Sequence, residues 1–356
     1  MQKSILIDAT HFAGERPTGV EAYVRGLLPP LSKKLLVAGW EVSWIGHEPL
    51  APYGVPVGVS WVSSPYARFW GQLSVTKLLR SRRPYLYYTP SGVPPLAYGG
   101  HTALTVHDMG LYADPGSYSL GQRLRLGPLL SRAARQAAVV LVPSTYTQKE
   151  LASHWKISNS VIAYVASQPI KDEAVPVSGI TGTFFLYVGR IERKKNLDVL
   201  VRGFAKLESE TCLILAGKDG FGSAALKKHI ALLPESVRNR ILFTGYLSDG
   251  QKKWLYERAL AIVIPCRYEG FGIPVLEAFT YEVPALCAQS GSLPEIGGNA
   301  AWYAQGDIAT DWYLQMKRLL EDEPLRKQLV ASGTKRLAEF NWNTAAEQVA
   351  QAFENL

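Results

Sequence analysis

The feature that most constrains the fold is a regular alternation of short apolar runs with longer helical patterns. In the first half the apolar runs lie at residues 5–9, 42–46, 86–90, 102–108, 139–144 and 161–166. In the second half they lie at 184–189, 212–217, 241–246, 261–266, 284–288 and 300–304. Such runs between helical segments are typical of strands buried in a parallel sheet. The sequence therefore predicts an α/β protein with doubly wound sheets.

The alternation is interrupted between residues 167 and 182, where Pro, Gly and Ser replace the periodic pattern. A chain of 356 residues also exceeds the length at which one hydrophobic core usually divides. We therefore predict two Rossmann-like domains, residues 1–172 and 180–341. Because ligands bind at the carboxyl ends of parallel strands, we expect the ligand in a cleft between the two domains.

Composition excludes several classes of protein. No apolar run approaches the ~20 residues of a membrane-spanning helix, and the N-terminus has neither the apolar core nor the cleavage site of a signal peptide. The three cysteines all lie in apolar, strand-like runs, so neither a disulfide nor a metal site is expected. The cytoplasm is the expected compartment.

The net charge of +8 is distributed unevenly along the chain. Residues 1–175 carry 17 basic and 10 acidic side chains, so this part holds nearly all of the excess. Two groups of arginines contribute to it: Arg80, Arg82 and Arg83, and Arg123, Arg125, Arg132 and Arg135. They are either a solvated surface or a contact for an anionic membrane face or an anionic acceptor. No nucleic-acid-binding signature accompanies the charge, so nucleic acid is not an expected partner.

The stretch Arg267–Glu295 follows a predicted buried strand and contains two carboxylates, Glu269 and Glu277, separated by seven residues. Pro274 suits the first turn of a helix. The glycines before it let backbone N–H groups approach a ligand, and a helix N-terminus favours an anion. The pattern therefore indicates a ligand with phosphate and hydroxyl groups. A purely structural role near the helix dipole explains either glutamate alone. A glycosidase pair is disfavoured, because eight helical residues rise ~12 Å whereas retaining hydrolases need ~5 Å.

Cations and a histidine follow other predicted strands. Arg190 comes after a strand-ending glycine, and Lys195 and Asn196 precede a helix. Cations at the carboxyl edge of a parallel sheet suit a pyrophosphate, although loop cations are commonly just solvated. Three basic residues adjoin here, so spacing does not single out Lys195. In the first domain His107 ends a strand, where it suits either a ligand cleft or a structural role.

At this point EGFGIPVLEAF resembles the Glu–seven residues–Glu signature of retaining glycosyltransferase family 4, the glycogen-synthase-like group with the GT-B fold. The likeness continues in order along nearly the whole chain, through TGVEAYVRGL, TVHD, VLVPSTYTQKEL, YVGRIERKKNLDVLVRGF, FTGYLSDGQKKWLYERA and GSLPEIGGNAAWY. The Arg-x4-Lys-Asn run resembles the mannosyltransferase-like branch. The resemblance also implies that the C-terminal helix, residues 342–356, packs back on the first domain.

The resemblance implies a retaining transfer of a hexose from a nucleoside diphosphate sugar. Arg190 and Lys195 would clamp the donor diphosphate, and Glu277 would bind the ribose hydroxyls. Glu269 would hold the donor sugar and phosphate together with three backbone amides, those of Gly270, Phe271 and Gly272.

It implies further contacts in both domains. His107 would contact the donor sugar near the reacting carbon, and Thr18 and Gly19 would approach the diphosphate or the acceptor. The backbone near three residues would meet the base: Gly245, Tyr246 and Leu247. No cofactor or essential metal is expected, since two cations replace the metal.

The expected donor is GDP-mannose or a related GDP-sugar, with a UDP-sugar as the alternative. The expected acceptor is a growing polysaccharide or a lipid-linked glycan, as in lipopolysaccharide O-antigen synthesis, at the inner membrane surface. Two departures from the family pattern occur, at Gly298-Asn299 and at residues 164–166. Two other functions stay open on the sequence: a nucleotide-sugar epimerase of GT-B fold, and a non-catalytic partner subunit.

Overall fold

The computed structural model describes residues 3–12, 19–47, 54–64 and 71–356, apart from the side chain of residue 122. The chain divides into two compact units, Met1–Ala166 with Phe340–Leu356, and Ser167–Glu339. Each unit is built around its own parallel sheet with helices between the strands. The predicted doubly wound α/β class is therefore confirmed. Within the described ranges, no helix has the length and apolar character needed to cross a membrane.

The sheet of the first unit has the strand order β3-β2-β1-β4-β5-β6-β7. Its strands are β1 (Ser4–Asp8), β2 (Glu41–Gly46), β3 (Ser60–Ser63), β4 (Leu86–Thr89), β5 (His101–Thr105), β6 (Val139–Val142) and β7 (Val161–Ile162). The helices are α1 (Gly19–Val37), α2 (Ser74–Arg82), α3 (Gly110–Ala113), α4 (Leu120–Gln136) and α5 (Thr145–Trp155). Strand β3 was missed in the sequence, because its SWVS run offers only two apolar residues.

The sheet of the second unit has the order β10-β9-β8-β11-β12-β13. Its strands are β8 (Phe184–Val188), β9 (Cys212–Ala216), β10 (Ile241–Gly245), β11 (Ala261–Ile264), β12 (Ala285–Ala288) and β13 (Trp302–Ala304). Its helices are α6 (Leu197–Phe204), α7 (Ser223–Ala231), α8 (Glu235–Arg238), α9 (Asp249–Tyr256), α10 (Ile273–Thr280), α11 (Leu293–Gly297), α12 (Ala309–Glu321) and α13 (Glu323–Leu337). All neighbouring strands run parallel.

Strand order determines where a ligand can bind in each unit. In the second unit the order reverses between β8 and β11, whose residues Phe185 and Ala261 lie side by side. The chain continues from β8 to β9 on one side of this point and from β11 to β12 on the other side. The loops after β8 and β11 therefore diverge and leave a crevice between them. Both loops carry predicted site residues. In the first unit the strand order reverses in the same way between β1 and β4.

The C-terminal helix α14 (Trp342–Glu354) returns to the first unit and packs on α1. The contact depends on Gly26 of α1, because a Cβ atom there would lie 2.1 Å from the Trp342 ring. Lys34 of α1 pairs with Glu347, and the Lys3 ammonium donates to the carbonyl of Glu354 at 3.0 Å. The buried indole and the missing side chain therefore fit each other closely.

We predict that Gly26→Ala destabilises the first unit by about 1–3 kcal/mol, the usual cost of overpacking a filled core. The matched control is Gly121→Ala, also in a helix, where an added Cβ has no heavy atom within 4 Å. The control should be neutral or slightly stabilising, because alanine favours a helix. Thermal unfolding measures both, and equal melting temperatures would contradict the packing argument.

Candidate active site

The loops after β8, β9 and β10 are linked through their backbones. The Gly189 N–H donates to the Ala216 carbonyl at 2.9 Å, and the Gly217 N–H donates to the Gly245 carbonyl at 2.9 Å. Gly217 has φ +148°, and a Cβ atom there would lie 1.9 Å from the Gly189 carbonyl oxygen. Only glycine permits this approach. The carboxyl ends of three adjacent strands therefore form one connected platform.

Arg190 lies on this platform, immediately after β8. The Tyr187 hydroxyl donates to the Arg190 carbonyl at 2.8 Å, and this hydrogen bond holds the backbone at Arg190 in place. Burial raises the pKa of Tyr187 well above its ordinary value, so the phenol keeps its proton and remains a donor. The Arg190 side chain is exposed. The arrangement thus fixes the main chain and leaves the guanidinium available to a ligand.

Lys195 ends a short 3-10 turn, residues 193–195, and Asn196 follows it with φ 54°. Asn196 is buried, and its amide donates to the Gly306 carbonyl at 3.0 Å and to the Asp307 carboxylate at 3.1 Å. An asparagine tolerates this left-handed conformation better than most residues. Asn196 therefore ends the turn and holds the backbone next to Lys195 in place.

The Lys195 ammonium lies 2.7 Å from Oε2 of Glu269, and 17% and 21% of the two side chains are exposed. Burial alone would lower the pKa of Lys195, but the Cys266 sulfur, once ionised, and the Glu269 carboxylate beside it raise that pKa well above its ordinary value. Burial alone would raise the pKa of Glu269, yet Lys195 lowers it below its ordinary value. Burial raises the pKa of Cys266 to about 12, so its thiol is neutral at neutral pH. Glu269 is therefore the anion that faces Lys195.

Ser292 holds the loop that carries Glu269. Its N–H donates to the Glu269 carbonyl at 3.1 Å. Its hydroxyl lies 2.9 Å from that oxygen and 2.7 Å from the Phe271 carbonyl oxygen, so one hydroxyl hydrogen serves both acceptors. The side chain is fully buried. Gly291, with φ +58°, permits the contact, because a Cβ atom there would lie 2.7 Å from the same Glu269 oxygen.

This clamp orients backbone N–H groups. In a trans peptide the carbonyl and the following N–H point in opposite directions. Because Ser292 holds the carbonyls of Glu269 and Phe271, the N–H groups of Gly270 and Gly272 point away from it. Gly272, with φ +106°, then starts α10. These amides belong to the set that the resemblance assigns to the donor sugar and phosphate, and that contact stays a prediction.

Glu277 lies within α10 and is bonded by two residues of α9. The Lys252 ammonium is 2.5 Å from Oε1, and the Tyr256 hydroxyl donates to Oε2 at 2.6 Å. The Tyr256 ring is fully buried and stacks on Tyr281 with ring centroids 5.1 Å apart. Burial, reinforced by Glu277, raises the pKa of Tyr256 well above its ordinary value, so the phenol remains a donor. Glu269 and Glu277 therefore have separate partners.

The sequence interpretation missed Lys252, Tyr256 and Ser292. Lys252 and Tyr256 stand four residues apart on a predicted helix, and that spacing places them on one face. This signal becomes useful only once the packing of α9 on α10 is known. Ser292 carried no signal of its own, because a serine between glycine and leucine is typical of many loops.

The residues predicted to meet the base follow β10. Gly245 has φ +68° and ends the strand, and Tyr246 is 44% exposed. The Lys218 ammonium lies 4.8 Å from the centre of the Tyr246 ring. Leu247 is partly buried and precedes Ser248, the capping residue of α9. This short segment offers an aromatic surface and a cation beside the platform.

In the first unit His107 lies just beyond β5. Its Nε2 is 2.7 Å from the Pro90 carbonyl oxygen, which can only accept, so Nε2 carries the hydrogen. Burial lowers the pKa of His107, although the Pro90 carbonyl opposes the change. Its ring packs edge-on against Tyr23 at 4.8 Å. At neutral pH the imidazole is therefore uncharged. Gly19 begins α1, and Thr18 lies outside the described residues.

The platform presents cations rather than metal ligands. Among the residues that the structure describes, no group of three or more His, Cys, Asp or Glu side chains could hold a metal ion. Arg190, Lys195 and Lys252 are among the cations of the connected loops and of α9. Such a set suits an anionic ligand with several oxygens.

Comparison with known proteins agrees with this chemistry. Residues 171–336 match the model of the family described as glycosyl transferases group 1. The chain is 27% identical over 297 residues to O-antigen chain mannosyltransferase B of Escherichia coli, covering 78% of this chain and 76% of that protein. It is 30% identical over 207 residues to the serotype-specific mannosyltransferase WbdA of Escherichia coli, covering 55% of this chain but 24% of that protein.

Solved structures show the same fold. Sucrose-phosphate synthase from Thermosynechococcus elongatus matches with a TM-score of 0.75 and 19% identity over 99% of both chains. Anabaena Alr3699/HepE, in complex with UDP and glucose, matches with a TM-score of 0.75 and 17% identity over 100% of both chains. The two parallel-sheet units and these matches define the GT-B fold. Residues 171–336, nearly the whole second unit, match the glycosyl transferases group 1, and the chain is similar to the mannosyltransferases named above.

The predicted family and fold are therefore confirmed, and the epimerase and the non-catalytic subunit are not favoured. No comparison tests the individual site residues, whose roles remain predictions. Two consequences of the geometry can be measured directly.

We predict that Glu269→Gln destabilises the second unit by about 1–3 kcal/mol at neutral pH, because it leaves the partly buried Lys195 without its counter-ion. The native pKa of Glu269 is lowered, so its stabilisation is present above the ordinary value of 4.5 and is lost as the pH falls through the native pKa. The difference in melting temperature between wild type and variant should therefore shrink in acid. The control is Glu257→Gln, in an exposed pair with Arg258. A pH-independent difference would contradict this account.

We predict that Ser292→Ala costs about 1–3 kcal/mol of unfolding free energy, because the buried hydrogen bond from the Ser292 hydroxyl to the Phe271 carbonyl is lost. The backbone N–H of residue 292 still holds Glu269, so the fold should persist. The freed peptide should also weaken donor binding by about tenfold, equivalent to ~1.4 kcal/mol. Calorimetry of donor binding and thermal unfolding measure the two effects. Ser236→Ala, at an exposed position of α8, is the control. Unchanged donor affinity would refute the orienting role.

Proposed function

We propose that this glycosyltransferase moves a hexose, with retention of configuration, from a GDP-sugar to a hydroxyl of a growing polysaccharide or lipid-linked glycan. Mannose is the favoured sugar, because the proteins of Escherichia coli to which the chain is similar are named mannosyltransferases. The observation that carries the proposal is the Lys195–Glu269 pair at the reversal of strand order in the second sheet.

The donor diphosphate is proposed to bind between Arg190 and Lys195. The raised pKa of Lys195 keeps the ammonium charged at every physiological pH. Arg190 offers an exposed guanidinium whose donors match phosphate oxygens in pairs. Both charges then stabilise the negative charge that develops on the leaving phosphate, without rearrangement during the reaction. This arrangement supplies the positive charge that a metal ion would otherwise provide.

The retaining step is proposed to occur on one face of the sugar. Glu269 is bonded to Lys195 at 2.7 Å, and this bond stabilises the carboxylate and makes it a poor nucleophile. We therefore favour a step in which the bond between the anomeric carbon and the phosphate oxygen breaks while the acceptor oxygen bonds to that carbon. The departing phosphate oxygen takes the acceptor's proton, so no covalent enzyme intermediate forms.

Glu277 is proposed to bind the ribose hydroxyls. A carboxylate has about four acceptor sites, and Lys252 and Tyr256 use two of them. The remaining sites match the two hydroxyls of a ribose. Lys252 and Tyr256 would hold the carboxylate in one orientation, so its free oxygen sites are already placed to accept hydrogen bonds from the ribose. The backbone around Gly245, Tyr246 and Leu247 would meet the base.

His107 is proposed to contact the donor sugar as a neutral imidazole, since burial lowers its pKa. The contacts predicted for Thr18 and Gly19 are retained in this proposal. The reaction is proposed to take place in the cytoplasm, at the inner membrane face where lipid-linked acceptors are exposed. The basic character of the first half supports that location.

We predict that Lys195→Ala and Arg190→Ala each lower turnover by about 10²–10³-fold, the usual loss when one charge-stabilising donor is removed. Lys194→Ala is the matched control, because Lys194 adjoins Lys195 but pairs with Glu192 at 3.6 Å. A thermal-shift screen with GDP-mannose, UDP-glucose and ADP-glucose first identifies the donor, since a bound ligand raises the melting temperature. Product release is then followed with that donor.

Stabilisation by the UDP-sugar alone would overturn the GDP preference. Near-normal turnover of Lys195→Ala would refute the phosphate clamp. Product of inverted anomeric configuration, read by nuclear magnetic resonance, would refute retention.

A further inference from the structure

The net charge of the chain lies in one segment. Residues 49–149 contain ten Lys and Arg side chains against two Asp and no Glu, a net charge of +8 that equals the net charge of the whole protein. From residue 115 to residue 149 there is no acidic side chain at all. Helix α4 lies in this acid-free span and carries four arginines.

The first two turns of α4 combine exposed leucines with these arginines. Leu120 and Leu124 are 66% and 68% exposed, and their spacing of four places them on one face of the helix. Arg123 and Arg125 are also exposed. Each is one residue from Leu124, which is about 100° around the helix on either side. An apolar ridge is therefore flanked by cations on both sides.

Helix α3 and the turn after it provide the other side of a groove. This groove, of about 220 Å³, is lined by Leu111, Tyr112 and Pro115 on one side and by Leu120 and Leu124 on the other. Gly127 lets the two helices approach, because a Cβ atom there would lie 3.0 Å from the Tyr112 hydroxyl. Among the described residues, neither Arg123 nor Arg125 forms an ion pair within the protein. The cations are thus available to an external anion.

We infer that this α3–α4 surface, residues 110–127, docks the enzyme on an anionic phospholipid bilayer. Leu120 and Leu124 enter the boundary between headgroups and acyl chains, and Arg123 and Arg125 extend their stems alongside and bind lipid phosphates. A soluble polyanion would use the arginines and leave the leucines in water. A protein partner would cover the leucines without needing a span of five basic and no acidic side chains, residues 115–149. The combination fits anionic lipid.

The inference deepens the proposed function, on which its biological meaning rests, because it names the surface through which the enzyme reaches a membrane-borne acceptor. The physical claim can be tested alone, since vesicle binding requires neither donor nor acceptor. The full-length chain is mixed with vesicles of phosphatidylcholine alone, or with vesicles of equimolar phosphatidylcholine and phosphatidylglycerol. Co-sedimentation gives the partition coefficient.

We expect binding to the anionic vesicles and much weaker binding to the neutral ones. Arg123→Gln with Arg125→Gln should lower the partition coefficient about 30-fold, since each basic side chain near an anionic surface contributes about 1 kcal/mol. The matched control removes two exposed charges from the second unit, Lys228→Gln with Lys335→Gln, and should bind almost normally. Added salt should weaken the wild type more than the arginine variant.

Leu120→Ser with Leu124→Ser should lower the partition coefficient at least tenfold, since each leucine loses the benefit of leaving water. Its control is Leu232→Ser with Leu314→Ser, which are 85% and 51% exposed in the second unit. All four sites are exposed, so the variants should melt normally. Equal binding to neutral and anionic vesicles would overturn the inference. So would a leucine variant that binds normally, an outcome that would indicate a soluble polyanion instead.

Donor-induced thermal stabilisation separates this inference from the proposed function. We expect the surface variants to lose vesicle binding and to keep the rise in melting temperature caused by the donor. Membrane docking and donor binding are then separate functions. If the wild type binds no anionic vesicles but is stabilised by the donor, the docking inference is overturned and the transferase proposal stands. If vesicle binding follows the predicted pattern while no nucleotide sugar binds, the proposed function fails alone.

Discussion

The site of the second unit depends on the ion pair between Lys195 and Glu269. Removing two charges from water is costly, and a pair regains that cost only when its geometry is good and its surroundings are satisfied. Here the lysine is fixed by the Asn196 turn, and the glutamate by Ser292 through its backbone. Neither partner has to be ordered when a ligand arrives. The pair therefore holds a charged ammonium in place, which is the condition for electrostatic stabilisation of a leaving group.

Glycines make this arrangement possible by allowing backbones to touch. Gly217 lets the loops after β8 and β9 meet, and Gly291 lets Ser292 reach the Glu269 loop. In both places the contact is between main chains, which have no rotamers to lose and little freedom to shift. The side chains proposed to carry out the chemistry are thus attached to a backbone that is held by other peptide groups. The exposed guanidinium of Arg190 and the partly buried Lys195 therefore differ in exposure although the same platform carries both.

Much of this could be predicted from the sequence because the signals are local. Apolar runs gave the strands, and the spacing of Glu269 and Glu277 around a glycine loop indicated a phosphate site. Choosing Lys195 among three adjacent cations required the resemblance, since spacing alone treats them equally. Lys252, Tyr256 and Ser292 could not be found, because their role depends on contacts across 21 to 25 positions of sequence. Such contacts are decided by tertiary packing, for which a single sequence contains no periodic signal.

The two units use charge in opposite ways, and this difference follows from burial. In the second unit each candidate site glutamate is matched by a lysine within 2.7 Å, so the charges of the carboxylates and ammonium groups largely cancel. In the first unit the arginines of α4 are exposed in a span without acids, and none of them forms an ion pair within the part of the chain that the structure describes. Paired, partly buried charges respond weakly to salt, whereas exposed charges are screened within about 10 Å at ordinary ionic strength. If the proposed roles hold, added salt should therefore weaken vesicle binding before it weakens donor binding.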